Sequence, residues 1–119
     1  MRFLCLYKPA KPEGTPPTPK EMAEMGKLIE DSMKSGKLLA TEGCLPSALG
    51  ARVRLSGGKF NVVDGPFTES KELVAGFALI QAPTKAEAVE FIKDFLKVAG
   101  DGETEMRQMC EPGMDFARP

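Results

Sequence analysis

The sequence predicts an α+β domain with the element order β-α-β-hairpin-β-α-β. Three observations carry that prediction. The runs 2–7 and 74–81 are apolar on both faces, as central strands of a covered sheet are. Two longer segments, opening at Thr18 and Thr84, combine a capping-box pattern with apolar residues at helical spacing. Gly57-Gly58 lies between two alternating runs, the signature of a two-residue hairpin turn.

In chain order, Phe3, Cys5 and Tyr7 alternate with Leu4 and Leu6, which makes the first strand apolar on both sides. The stretch 9–17, with prolines at 9, 12, 16 and 17, cannot join a ladder and reads as a surface loop, either a plain connector or a lid over a pocket. Thr18-Pro19-Lys20-Glu21 then opens a helix with Pro at its first position, and Gly36 closes it as a C-cap. Met22, Met25, Leu28, Ile29 and Met33 form its stripe; packing against the sheet is the expectation, and a Met-lined binding groove the alternative. Residues 37–42 form a short edge strand. In the hairpin 51–63, counting outward from the turn pairs Leu55 with Phe60 and Val53 with Val62 on one apolar face, leaving Arg52, Arg54, Lys59 and Asn61 on the other. After a polar loop, Phe77 and Leu79 face one side of the next strand and Ala78 and Ile80 the other. Thr84 and Glu87 frame a second capping box, and the helix from Lys85 to about Val98 turns Ala88, Val89, Ile92, Phe95 and Leu96 inward. The final strand, 103–110, is polar enough to belong at an edge, and the tail beyond 110 is expected to be extended or mobile.

That order is the split βαβ pattern of a ferredoxin-like fold carrying an inserted β-hairpin, one domain over 1–119. The first and third core strands take the central slots. Two helices cover one face of such a sheet and leave an apolar set on the other, and patches of that kind mark association surfaces. A homodimer packed sheet against sheet, a dimeric α+β barrel with a cavity between, is the simplest assembly.

Composition narrows the chemistry. With 16 basic against 17 acidic residues and no basic cluster, nucleic acid is not an expected partner. No apolar run approaches the ~20 residues of a membrane span, and the apolar start stops at Lys8-Pro9, too short for a signal peptide, so a cytoplasmic location is expected. Histidine is absent, which removes the commonest general base, and no CxxC spacing occurs. No metal or cofactor is expected. Cys5, Cys44 and Cys110 read as reduced thiols; a redox pair of Cys5 and Cys110 is the alternative if the first and last strands pair.

The densest chemistry lies in Asp64-Gly65-Pro66-Phe67-Thr68-Glu69-Ser70-Lys71-Glu72, a polar loop placed between two strands. Asp64-Gly65-Pro66-Phe67, followed by Glu69, Lys71-Glu72 and Gly76-Phe77, resembles the DGPF branch of the YCII-related (YciI-like) family, and the resemblance runs through most of the chain. It implies a dimeric α+β barrel. YCII relatives typically carry a His–Asp pair proposed as catalytic, which does not transfer to a chain without histidine. The resemblance also implies a regulatory association, because members of this branch are often encoded near alternative sigma factors.

Within the loop, Asp64 reads either as turn chemistry, capping backbone N–H groups, or as a site acid or base. Glu69, Lys71 and Glu72 read as a solvated charge run or, with Asp64, as a buried network that raises a carboxylate's pKa. Asp64, Glu69 and Lys71 are the catalytic candidates; Tyr7, Arg52, Phe67 and Glu72 are the ligand-binding candidates. Phe67 plugs a dimer interface or walls a pocket, Arg52 faces solvent or an anionic ligand, and Tyr7 packs in the core or shows its hydroxyl to a cavity. Three functions fit: a dimeric module, with the regulatory association that the resemblance implies, binding a small molecule beside the 64–72 loop; an enzyme of the proton-transfer, isomerase or lyase type using Asp64 or Glu69; and a purely structural interaction module.

Overall fold

A computed structural model describes residues 1–67 and 73–114. The elements are β1 (Arg2–Pro9), α1 (Pro19–Lys34), β2 (Leu38–Gly43), a 3-10 turn (Ser47–Leu49), β3 (Ala51–Ser56), β4 (Lys59–Asp64), β5 (Gly76–Gln81), α2 (Lys85–Ala99) and β6 (Gly102–Gln108). The main sheet has the order β2-β5-β1-β6, all neighbours antiparallel, and β3-β4 forms a separate two-stranded ribbon. The fold is α+β and ferredoxin-like, with the two strands that are apolar on both faces in the middle. None of the described helices is long and apolar enough to cross a membrane.

The two edge strands differ: β2 is irregular and β6 is regular but charged. On β2 the register shifts between Leu38 and Ala40. On β6, Glu105 takes a salt bridge from Lys8 at 3.3 Å and another from Arg107 at 3.6 Å. Past β6, Arg2 donates to both carboxylate oxygens of Glu111, at 2.7 and 3.2 Å, and Met114 N–H donates to Glu111 C=O at 3.1 Å. The tail therefore begins as a pinned turn rather than an extended strand; residues 115–119 lie outside the described residues.

Helix α1 begins as its sequence dictates. The Thr18 hydroxyl accepts from Glu21 N–H at 3.1 Å, and the Glu21 carboxylate accepts from Thr18 N–H at 3.1 Å. Ser35 is the C-cap, and Gly36 follows with φ of 78°, the left-handed position that glycine fills without strain. At α2 only half of the expected box forms: Thr84 accepts from Glu87 N–H at 3.2 Å with no reciprocal bond.

The core is Phe3, Cys5, Leu38, Ile80, Ala88 and Ile92, so the helices cover the β1 face that carries Phe3 and Cys5. Helix α2 supplies Ala88 and Ile92, whereas α1 sends the partly buried Ile29 against this cluster and buries Ser32. The Met stripe packs in part: Ile29 reaches the core and Met25 and Leu28 are half-buried, but its ends are not covered. Met22 is 62% and Met33 48% exposed. On the other face Leu4, Leu6, Phe77 and Leu79 are partly buried and share rows across β1 and β5.

The β3-β4 ribbon takes the predicted register, Leu55 opposite Phe60 and Val53 opposite Val62. Gly57 and Gly58 both have positive φ, 56° and 79°, as a primed turn requires. The apolar face is not buried: Val53, Leu55, Phe60 and Val62 are between 58 and 73% exposed. The Cα radius of gyration, 16.4 Å, exceeds the about 13.5 Å of a compact chain of this length, as expected when a ribbon stands off the body. At the ribbon's base Gly65 N–H donates to Gly50 C=O at 3.0 Å.

Candidate functional site

Side-chain size falls steadily along the helix-covered face of the sheet. One row, Leu38–Ile80–Phe3, is large and fills the core. The next, Thr41–Ala78–Cys5–Met106, is smaller. The last, Gly43–Gly76–Tyr7–Thr104, opens on two adjacent glycines. The space above the small rows is not filled from α1, where Gly26 stands between Met25 and Ile29 on the facing side. A Cβ built on Gly26 meets nothing within 4 Å. The result is a cavity of about 520 Å³, walled by Met22, Met25 and Ile29 of α1 and by Phe91 and Phe95 of α2, with Cys5, Tyr7, Ala78 and Thr104 on its floor. Its volume falls within the range of small-molecule sites.

The polar groups in this cavity are few. The Tyr7 ring meets Phe95 edge to face at 5.2 Å, and its hydroxyl donates toward Ala99 C=O at 3.4 Å and Asp101 C=O at 3.5 Å. Burial first, then the negative charges of Glu21 and Asp101, push the phenol's pKa up, so Tyr7 stays protonated. Thr41 donates to Phe77 C=O at 2.8 Å. Thr104 Oγ1 is buried and has no hydrogen-bond partner in the protein. Burial raises the Cys5 thiol to about 11, which keeps it neutral and unreactive at physiological pH. Cys5 lies opposite Met106, not Cys110, and all three cysteines are free. At the mouth, the Glu21 carboxylate accepts from Lys11 at 3.2 Å, and the Thr18 backbone bond followed by Lys11 holds its pKa below the ordinary carboxylate value.

A second, smaller pocket of about 280 Å³ lies beside the polar loop, lined by Glu13, Leu45, Ser47, Arg52, Phe67, Leu73 and Val74. The Arg52 guanidinium sits over the Phe67 ring, 4.1 Å from its centroid, a cation–π arrangement. Ser47 links two loops: its N–H and Oγ each donate to Glu13 at 2.7 Å, while its Oγ accepts from Phe67 N–H at 3.0 Å. The Pro-rich segment is thereby tied to the loop of Phe67, and its Pro17 borders the large cavity.

The sequence-predicted residues thus fall in different places. Tyr7 is in the large cavity, and Arg52 and Phe67 are in the small one. Asp64 ends β4, is exposed, and lines neither. Glu69, Lys71 and Glu72 lie outside the described residues, and so does any convergence of them with Asp64. Gly26 and Thr104 were missed; a glycine inside a helical stripe was the available signal for the first, and Thr104 carried none. Among the described residues no group of three or more His, Cys, Asp or Glu is arranged to hold a metal ion.

The chain is similar to proteins already known. The solved structure of 5-chloro-2-hydroxyhydroquinone dehydrochlorinase from Burkholderia phenoliruptrix AC1100, in complex with 2,5-dihydroxybenzoquinone, is similar at 16% identity and a TM-score of 0.47, over 92% of this chain and 94% of that one. An uncharacterised protein of Rhizobium meliloti (strain 1021) is 32% identical over 95 residues, 77% of each chain. The YCII-related domain matches residues 1–111. With that match spanning nearly the whole chain and the Rhizobium relative beside it, this protein belongs to the YCII-related family.

Proposed function

We propose that this domain binds a small, mainly apolar molecule in the cavity between its helices and its sheet. The observation that carries this reading is the hollow itself, lined by Gly26 above and by Gly43 and Gly76 below. A glycine inside a helix costs about 0.5–1 kcal/mol relative to alanine, and no neighbour of Gly26 demands one. Keeping the space open accounts for it. Gly26→Leu is expected to leave the unfolding midpoint unchanged or higher, because the helix gains propensity. The same change is expected to weaken binding of a neutral hydrophobic dye such as Nile red by at least about tenfold, since the side chain occupies ligand volume. Wild-type affinity in a folded Gly26→Leu variant would overturn the reading.

We further propose that the chain pairs with a second copy. An isolated two-stranded ribbon is marginal in water, and this one exposes Val53, Leu55, Phe60 and Val62 on a single face. The same molecule offers Leu4, Leu6, Phe77 and Leu79 on the sheet face away from the helices. An arm and an apolar face on one chain allow a closed two-fold exchange. Light scattering at micromolar concentration is expected to report twice the 12.9 kDa chain mass, and Phe60→Lys with Val62→Lys is expected to halve it. A wild-type mass of 12.9 kDa would exclude pairing.

A further inference from the structure

We propose that the molecule held in the helix–sheet cavity is a hydrophobic amine, bound as its cation. Its apolar body lies between the helices and the sheet, and its protonated nitrogen sits at the mouth, beside Glu21, Tyr7 and the end of α2. The inference rests on the cavity-binding reading and adds the ligand's charge. Two helix ends border the cavity: α1 begins there with Glu21 and Met22, and α2 ends there with Val98 and Ala99. A helix start offers N–H groups to an anion, and a helix end offers carbonyls to a cation. The start of α1 has little to give an anion. Pro19 has no N–H, Glu21 N–H goes to the Thr18 hydroxyl, and Met22 N–H goes to Thr18 C=O. The end of α2 keeps its acceptors. Ala99 C=O receives the Tyr7 hydroxyl at 3.4 Å, a long bond, and the Tyr7 oxygen that donates it still accepts on its own lone pairs.

The charges point the same way. No Lys or Arg lines the cavity among the described residues. Glu21 stands at its mouth and Glu42 on its rim, and among the described residues Glu42 has no ion-pair partner. Lys11 pairs with Glu21 at 3.2 Å, so this carboxylate already receives one ammonium from the outer side. Lys97, in the last turn of α2, turns to Asp94 instead. After burial, the charges of Glu21 and Asp101 raise the pKa of the Tyr7 phenol, so a negative field reaches the cavity lining itself. That field favours a cation and opposes an anion. A nitrogen at the mouth also keeps part of its hydration, which spares it the cost of full burial.

Three probes of similar shape test this by calorimetric titration of the full chain: 1-(2-naphthyl)ethylamine, 2-isopropylnaphthalene and 2-naphthoate. The amine is expected to bind tightest and the naphthoate weakest. Raising the ionic strength from about 0.05 to about 0.5 M is expected to weaken the amine and not the hydrocarbon, because salt screens a charge at the mouth. Glu21→Gln is expected to weaken the amine about three- to fivefold, the range of a half-exposed ion pair, and to leave the hydrocarbon within about twofold. Glutamine also serves at this position of a capping box, so the variant keeps the start of α1. Amine binding that is no tighter than hydrocarbon binding, or that is untouched by both salt and Glu21→Gln, overturns the inference and leaves the cavity reading standing. Tighter binding of naphthoate than of the amine does the same. Failure of every probe to bind the wild type overturns both.

Discussion

Phe3→Ala is expected to lower stability by about 3–5 kcal/mol, the usual result of removing a buried aromatic side chain. Phe3 is 1% exposed and sits between Ile80 and the α2 residues Ala88 and Ile92. The effect is large because the cluster is small. Beyond the Leu38–Ile80–Phe3 row only Cys5 belongs to the buried cluster, with Ala78 and Met106 packed on it in part, so few other side chains share the load. Domains are held by about 5–15 kcal/mol in total, and a loss of this size is about a fifth of that or more. Urea unfolding followed by circular dichroism measures it. A change below about 1 kcal/mol would mean that the packing is carried elsewhere.

Gly65→Ala is the second large effect, expected at about 1–3 kcal/mol or more, as for a side chain forced into filled space. An added Cβ would overlap the Ser47 carbonyl, a backbone group that cannot rotate away as a side chain would. Gly65 also fixes the ribbon's base through its bond to Gly50. The variant is expected to lose proteolytic protection at 45–67 before the main sheet unfolds. Limited proteolysis with the wild-type pattern would show that the approach of these two segments is not needed.

Much of the architecture was legible because it rests on local chemistry. Gly57-Gly58 and the alternation around it determine the ribbon register, and the Thr18–Glu21 pair sets the start of α1. The double-sided apolar character of 2–7 and 76–81 was enough to put those strands in the centre. The cavity was not legible, because it depends on which residues lie side by side across four strands. Gly43, Gly76, Tyr7 and Thr104 are far apart in the chain and form one row only through the register. The Met stripe misled for another reason. A core face and a groove wall share the same helical period, and what separates them is whether anything fills the space beneath. For the 64–72 loop, the turn residues Gly65 and Pro66 were readable, but the Ser47–Glu13 link to the Pro-rich segment joins residues that no local pattern connects.

The two edges of the main sheet limit the geometry of any larger assembly. A neighbouring sheet can continue a ladder only where it finds a flat row of free N–H and C=O groups. On β2 the register shift at Leu38–Ala40 breaks that row, while β6 carries charged side chains, Glu105 bridged to Lys8 of β1 and to Arg107, and charges on an edge are one of the ways sheets discourage added strands. Sideways growth into ribbons or fibres is therefore disfavoured at both ends. The pairing proposed above would therefore use the ribbon and the open face of the sheet, and an isologous contact of that kind closes at two copies.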